Sequence, residues 1–226
     1  MKKITSLVLF VLCTSVCYAQ KKSFDDFVNL FQKVELPFVI DSCSVEDFVV
    51  KENEFPNINA DMKTYIPDSL SSELFKEQNV RAYYNVPINE NYISLILFAG
   101  SFIDDYRVTN SIFYLLNYDT SGNIIDFVKI ASFICEGPLS WCSINNNMIT
   151  YNSFELYRKP ISFEYKEHEV APMVETRLKY KIDTNGHFIK DILFNREGLY
   201  KPTYEGCVFE YCGDFPKEEK TLDPIK

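Results

Sequence analysis

The chain has 226 residues and a formal net charge of −9. That length suits one domain with a sizeable core. The acidic balance disfavours nucleic acid and anionic lipid as partners, because phosphate binding needs clustered lysine or arginine.

The first twenty residues, MKKITSLVLFVLCTSVCYAQ, have the pattern of a secretory signal peptide. Lys2 and Lys3 give a basic start, residues 7–13 are apolar, and Ala19 is a small residue at the expected cleavage point. The apolar run is shorter than the roughly 20 residues that span a bilayer. We expect cleavage after Ala19, a periplasmic or secreted protein, and no membrane span once the leader is removed.

Anchoring as a lipoprotein, with Cys17 as the first mature residue, is the alternative. A lipoprotein box normally has leucine or a similar residue at −3 and a small residue at −1. Thr14 and Val16 occupy those positions and match poorly.

The mature chain is expected to form a single β-rich domain over residues 20–216. Within it, residues 20–79 are predicted to form a helical N-terminal cap and residues 80–216 an antiparallel meander. Residues 217–226 are charged and lack periodicity, which is typical of a flexible tail.

Residues 23–34 read SFDDFVNLFQKV, with phenylalanine and valine at helical spacing. Ser23 is a suitable N-cap, and acidic residues follow in the first turn. A short edge strand entered through Pro37 is predicted next, and a second helix over residues 69–78. The aromatic face of the first helix favours packing against a sheet.

From about Val80 the apolar residues recur with a period of two, which indicates strands. We count about nine strands, joined mostly by short turns, and short turns connect antiparallel neighbours. Residues 93–98 are almost continuously apolar, so this strand is expected to be central and covered on both faces. The fold predicted is mainly β (α+β): an antiparallel sheet of about nine strands, arranged as a sandwich or a barrel, with one or two N-terminal helices packed on it.

The pattern D-T-x-G-x-x-I occurs twice, as DTSGNII at residues 119–125 and DTNGHFI at residues 183–189. Aspartate favours the first position of a type I turn, and glycine the left-handed position that follows. A calcium loop would need more oxygen ligands at alternate positions before the glycine. Both copies are therefore interpreted as hairpin turns, and no metal site is predicted.

Five cysteines follow the leader, and export makes disulfides plausible. Cys135 and Cys142 flank a Gly-Pro turn signal, so a Cys135–Cys142 disulfide is predicted. Cys207 and Cys212 are separated by a segment that reads as strand, and five extended residues cover roughly 17 Å, too far for a bridge. Cys43 is therefore expected to pair with either Cys207 or Cys212. No spacing is C-x-x-C, which disfavours zinc and thioredoxin-type sites.

Motifs for known chemistries are missing from the sequence. There is no G-x-S-x-G elbow, P-loop or dinucleotide fingerprint, and the two histidines, His168 and His187, do not form H-E-x-x-H. We assign no catalytic residue and no cofactor, and this pattern favours a protein that is not an enzyme.

Trp141, Asp104 and Asp105 are the candidate ligand-binding residues. The single tryptophan adjoins Cys142 near the Gly-Pro turn, where it would give a rigid contact surface for a sugar or a protein partner. Core packing is the alternative for Trp141. Asp104 and Asp105 follow the most apolar strand and would supply the paired carboxylates of a glycoside-type hydrolysis.

Two features together, the leader ending in YAQ and strand-turn-strand units such as FYLLNYDTSGNIIDFVKI, resemble uncharacterised secreted β-rich proteins of Gram-negative anaerobic bacteria. The resemblance covers roughly residues 90–195 and includes no functional motif. It implies a location and a fold class, and no residue role.

The function expected first is an exported, non-enzymatic binding or interaction module for an unknown protein or glycan. A hydrolase acting on carbohydrate or peptide through paired carboxylates is one alternative. A structural or assembly partner of another envelope protein is a second alternative, and the oligomeric state is left open.

Overall fold

A computed structural model describes residues 23–41, 54–75, 79–104, 107–134, 139–158, 170–202 and 209–215. In chain order the helices and strands are α1 (Phe24–Val28), β1 (Gln32–Lys33), β2 (Phe38–Ile40), a 3₁₀ helix (Ala60–Tyr65), α2 (Asp68–Leu74), β3 (Asn79–Val86), β4 (Ile93–Asp104), β5 (Arg107–Tyr118), β6 (Ile124–Ile134), β7 (Leu139–Asn145), β8 (Met148–Leu156), β9 (Ala171–Ile182), β10 (Phe188–Pro202) and β11 (Phe209–Gly213).

The strands form one open sheet of eleven strands in the order β1-β3-β4-β5-β6-β7-β8-β9-β10-β11, with β2 paired to β7. All pairings are antiparallel except that of β1 with β3. The predicted mainly β, antiparallel fold is confirmed. The described strands number eleven, whereas the sequence predicted about nine. Residues 161–165, where apolar and polar residues also alternate in the sequence, lie outside the described residues.

The sheet folds over on itself at β6 and β7, which pair through only two residues each, Ser132 with Ser140 and Phe133 with Leu139. This corner separates an N-terminal half (β1, β3–β6) from a C-terminal half (β2, β7–β11). The inner faces of both halves contribute to one apolar core, which includes Phe98 and Phe113 from the first half and Ile144, Ile149, Tyr180 and Ile182 from the second. The architecture is therefore that of a sandwich made from one folded sheet.

Helices cover the outer face of β3–β5. Phe27, Met62 and Leu74, from α1, the 3₁₀ helix and α2, are fully or almost fully buried against Leu95 and Leu97 of β4. The other side chains of β4 face the inner core, so its apolar run is covered on both faces, as predicted. The predicted packing of N-terminal helices on the sheet is confirmed.

Both helices are shorter than the sequence predicted. The capping box at Ser23 forms, because Asp26 N donates to Ser23 Oγ at 3.1 Å and Ser23 N donates to Asp26 Oδ2 at 2.9 Å. However, α1 ends at Val28, so the helix predicted over residues 23–34 is wrong beyond that point. Gln32 and Lys33 instead pair with β3, which gives this backbone strand partners in place of helical ones. The second helix ends at Leu74, and residues 76–78 lie outside the described part of the chain.

Both D-T-x-G segments are hairpin turns, as predicted. Asp119 Oδ1 accepts hydrogen bonds from Ser121 N at 2.9 Å and Asn123 N at 2.8 Å. Asp183 Oδ1 accepts equivalent bonds from Asn185 N and His187 N, each at 2.9 Å. The glycines have φ of 86° and 90°, in the left-handed region that favours glycine. These carboxylates are therefore occupied by the backbone amides of their own turns.

The disulfide predictions that use Cys142 or Cys212 are wrong, since both are free thiols. Cys142 lies on the inner face of β7 in the apolar core, and burial raises the pKa of its thiol to about 12. The flanking Gly-Pro signal did not reveal this inward orientation. Cys43, Cys135 and Cys207 lie outside the described residues.

Helices in the described segments have at most seven residues, far fewer than the roughly 20 that cross a bilayer.

Candidate functional site

The inner face of the C-terminal half changes from apolar to polar along its strands. In β8 the inward positions are, in order, Ile149, Tyr151, Ser153 and Glu155, because alternate residues of a strand face the same side. The hairpin end of this face belongs to the apolar core. Its other end therefore presents hydroxyl and carboxylate groups to the inside of the folded sheet.

A cleft lies where this polar part of the inner face meets β6. Its cavity volume is about 260 Å³, and its walls come from β6, β8, β9 and β10. That is slightly below the roughly 300–1,000 Å³ of pockets that enclose a whole small ligand. The cleft therefore suits one group of a larger ligand. The lining residues are Val128, Lys129, Tyr151, Ser153, Glu155, Thr176, Leu178, Tyr180 and Lys190.

The polar side chains of the cleft have no bonding partners within the described part of the chain. Among the residues that the structure describes, no side-chain hydrogen bond or ion pair involves the two lysines, the two tyrosines, Ser153, Glu155 or Thr176. Ser153, Tyr151 and Tyr180 are largely buried, with 5%, 7% and 8% of their surface exposed. Their hydroxyl oxygens are not among the buried atoms of the described residues that lack a hydrogen-bond partner, so these oxygens open onto the cleft. A polar ligand would bond to these open hydroxyls.

The phenol of Tyr180 is neutral at physiological pH. Burial raises the pKa of Tyr180, and the nearby Tyr151 raises it further. A neutral phenol both donates and accepts a hydrogen bond. Tyr180 therefore offers a ligand an apolar ring and a bifunctional hydroxyl.

The charges of the cleft are two lysines and one glutamate. Lys129 and Lys190 are exposed and lie in opposite walls, β6 and β10, whereas Glu155 lies in β8. Lys190 is in register with Tyr180, so its side chain begins on the inner face, whereas Lys129 is in register with Tyr114 and its side chain begins on the other face of β6. The net positive charge contrasts with the chain's formal charge of −9. This arrangement favours an anionic group of a ligand over a cationic one.

Asp126 of β6 links two walls of the cleft, β6 and β10. Its Oδ2 accepts a hydrogen bond from Phe188 N at 2.9 Å and lies 3.9 Å from His187 Nδ1. Nearby, Asn117 Nδ2 donates to Gly186 O at 2.7 Å. These contacts fix the β9–β10 turn against β5 and β6, so the two cleft walls keep their separation.

Glu175, on the outer face of β9, is the one acidic side chain that is buried among the described residues, with 2% of its surface exposed. Arg177 Nε donates to its Oε1 at 2.8 Å. Arg196 Nη2 donates to Oε2 at 2.8 Å, and the Tyr200 hydroxyl donates to the same oxygen at 3.0 Å. We call Glu175, Arg177, Arg196 and Tyr200 the carboxylate cluster.

The carboxylate cluster holds Glu175 in its ionised form. Burial by itself would raise the pKa of Glu175, but hydrogen bonds from Arg196, Arg177 and Tyr200 outweigh burial, and the pKa lies below its ordinary value. A general acid must hold a proton near neutral pH. Glu175 therefore does not fit that role, and its two occupied oxygens indicate a structural one.

Trp141 lies beside this cluster on the outer face of β7 and is partly buried. Its ring stacks on Phe154, with centroids 5.3 Å apart and an interplanar angle of 17°. Phe154 in turn contacts Tyr200 and Phe209. The contacts of Trp141 are therefore those expected from the core-packing alternative. A ligand-binding role for Trp141 stays a prediction.

The sheet does not place Asp104 next to Trp141. Asp104 is the last residue of β4, in register with Arg107 of β5, and β4 is not a neighbour of β7. Asp105 lies outside the described residues. The predicted roles of these two residues stay predictions.

A second depression, of about 540 Å³, lies over β1 and β3. None of its lining residues is buried, and its charged residues, Lys33 and Glu35, have opposite signs. It has no convergent buried polar group and is the weaker candidate.

Sequence reasoning missed every residue of the cleft as a site residue. One signal was present: Ser153 interrupts the inward apolar positions of β8 with a polar side chain. The approach of β10 to β6 had no signal in the sequence, because these strands are not neighbours in the sheet order.

Compared with known proteins, the chain matches no family model, no curated protein and no solved structure.

Proposed function

We propose that this protein is an exported, non-enzymatic binding module, periplasmic or secreted, whose ligand places an anionic group in the cleft. The observation that carries the proposal is the set of polar side chains around Tyr151 and Tyr180 that have no hydrogen-bond partner among the described residues. Export is supported by the leader pattern of residues 1–20.

The proposed chemistry follows from the lining. Lys190 attracts the anion on the inner face, Lys129 adds positive charge at the β6 wall, and the hydroxyls of Ser153, Thr176 and the tyrosines bond to its polar neighbours. Charge-assisted hydrogen bonds are about twice as strong as neutral ones. The lysines therefore supply most of the affinity, while the small cavity limits which group enters.

Two small probes test this proposal: sodium glucuronate, which presents a carboxylate on a sugar, and N-acetyl-aspartate methylamide, which presents one on a peptide unit. Tyrosine ring carbons are labelled, and their NMR shifts are followed during titration. We expect saturable shifts of Tyr151 and Tyr180 with at least one probe. Replacing both lysines, as Lys129→Gln with Lys190→Gln, should weaken binding at least about tenfold.

The matched control is Lys181→Gln. Lys181 is an exposed lysine of β9 that does not line the cleft, so its removal changes the net charge without changing the site. Equal loss of binding in this control, or tyrosine resonances that neither probe moves, would refute the proposal.

A further inference from the structure

One edge of β10 has no strand partner along most of its length in the described part of the chain. β10 pairs with β9 from Phe188 to Tyr200, but with β11 only from Leu199 to Pro202. Among the described residues, the edge facing away from β9 therefore has no strand partner from Phe188 to Gly198. It adjoins the cleft, because Lys190 belongs to both.

The backbone groups that this edge presents follow from the hairpin register. Asp183 N donates to His187 O at 3.0 Å, which makes these two residues a hydrogen-bonded pair. Pairs in an antiparallel ladder alternate, so Phe188, Lys190 and Ile192 direct their N–H and C=O groups away from β9. Phe188 N is satisfied by Asp126 Oδ2. Lys190 and Ile192 remain, with outward groups about 7 Å apart.

Apolar side chains are exposed on the same segment. Ile189, Ile192 and Leu193 are 54%, 63% and 54% exposed, and they are three of the five large exposed hydrophobic residues found in the described segments. The ladder is irregular between Ile192 and Phe194. This bulge limits the regular edge to a few residues, so it suits a short added strand and opposes indefinite strand stacking.

We propose that the ligand of the cleft is an extended peptide segment that adds as a strand to β10 and directs an acidic side chain to Lys129 and Lys190. This inference rests on the proposed binding function and names the ligand class. A peptide strand offers backbone groups at the spacing of Lys190 and Ile192 and side chains that alternate between the two faces. Its apolar residues would cover Ile189 and Ile192, and its carboxylate would meet Lys190 and Lys129, which have no ion-pair partner among the described residues.

The test begins with selection from a phage-displayed random dodecapeptide library on the purified protein. Enriched peptides are synthesised, and their affinities are measured by calorimetry after N-methylation of one backbone amide at a time. Strand addition requires every second amide of the peptide to donate to β10. We expect N-methylation at alternate positions of the peptide, either the odd or the even ones, to weaken binding at least tenfold. N-methylation at the remaining positions should leave the affinity within about twofold.

Side-chain recognition is tested in the same peptides. Replacing the acidic residue by its amide should weaken binding to the wild-type protein, and should have little further effect on the Lys129→Gln, Lys190→Gln protein. Such coupling is the sign of a direct interaction. The Lys181→Gln protein should behave as wild type.

The outcomes separate the two proposals. If N-methylation at odd and at even positions of the peptide has the same effect on binding, strand addition is overturned and the proposed binding function stands. So does a library that enriches nothing while glucuronate still moves the Tyr151 and Tyr180 resonances. If neither peptides nor small probes bind, both proposals fall.

Discussion

The outer faces of the two halves of the sheet are covered in different ways. Over β3–β5, α1, the 3₁₀ helix and α2 bury leucine, isoleucine and phenylalanine against the strands. Over β8–β11, in the segments that the structure describes, the covering consists of stacked rings and the stems of arginines around Glu175. Arg196, for example, lies with its guanidinium carbon 3.5 Å from the centroid of the Tyr211 ring.

The difference shows two solutions to the same physical problem. A sheet face must lose water from its apolar residues, and a helix with an apolar stripe does this most simply. The second face instead buries a carboxylate, which is tolerated only because each oxygen has a charged donor. Stability should therefore depend on buried side-chain volume over β3–β5 and on charge pairing over β8–β11.

The largest effect is expected under the helices. Leu97 of β4 is completely buried, so Leu97→Ala should lower the free energy of unfolding by about 4 kcal/mol through lost burial and a residual cavity. Urea denaturation measures this change. The matched control is Leu193→Ala, because Leu193 is 54% exposed and should change stability by less than about 0.5 kcal/mol. Similar values for the two variants would show that the helices do not seal this face.

In the second region, Glu175→Gln should lower the free energy of unfolding by about 3 kcal/mol, because it leaves the Arg196 guanidinium without its charge partner. Glu155→Gln is the control, since Glu155 is exposed and has no partner among the described residues. A neutral result for Glu175→Gln would mean that ring packing alone holds this face. The same urea transitions supply the comparison.

The two glycine turns offer a smaller contrast. A Cβ on Gly122 would lie 2.5 Å from Cγ of Phe24, in α1, whereas one on Gly186 would lie 3.1 Å from Cδ1 of Ile125. Both positions are left-handed, so each alanine costs about 1 kcal/mol in backbone strain, and Gly122→Ala should cost about 1 kcal/mol more by displacing Phe24. Thermal unfolding of the two variants should therefore rank Gly122→Ala below Gly186→Ala. The reverse order would indicate that α1 yields more easily than the inner core.

The smallest effect concerns pH. The pKa of Glu175 lies below its ordinary value near 4.5 in the folded protein, so its ionisation stabilises the fold fully above that pH. This contribution is lost as the pH falls through the lower folded value. The stability difference between wild type and Glu175→Gln should therefore be constant near neutral pH and shrink in acid. A difference that grows in acid would contradict the assigned ionisation state.

The sequence predicted local elements well where the signal is local. Alternation of apolar residues located most strands from β3 onwards, and the Asp–Gly pattern identified both turns, because each aspartate bonds amides only two and four residues away. The first helix was placed correctly at Ser23 but extended too far. Its end depended on β1 pairing with Tyr84 and Asn85, which are distant in the chain.

The candidate site was beyond sequence reasoning for the same reason. Trp141, Asp104 and Asp105 were singled out by residue type, whereas the cleft is made by ordinary lysine, serine and tyrosine residues that meet only in the folded sheet. Composition also favoured disulfides, and Cys142 proved to be a core thiol.

The sequence by itself determined that this protein is a β-rich chain with helices at its N-terminal end and tight glycine turns between strands. Those features follow from residue periodicity and from the backbone conformations that glycine and aspartate allow. Only the tertiary structure decided that the sheet folds over at β6, because bonds such as Asn117 to Gly186 join residues 69 positions apart. It also decided which polar groups are left without partners, since burial and pairing depend on what the rest of the chain brings near them.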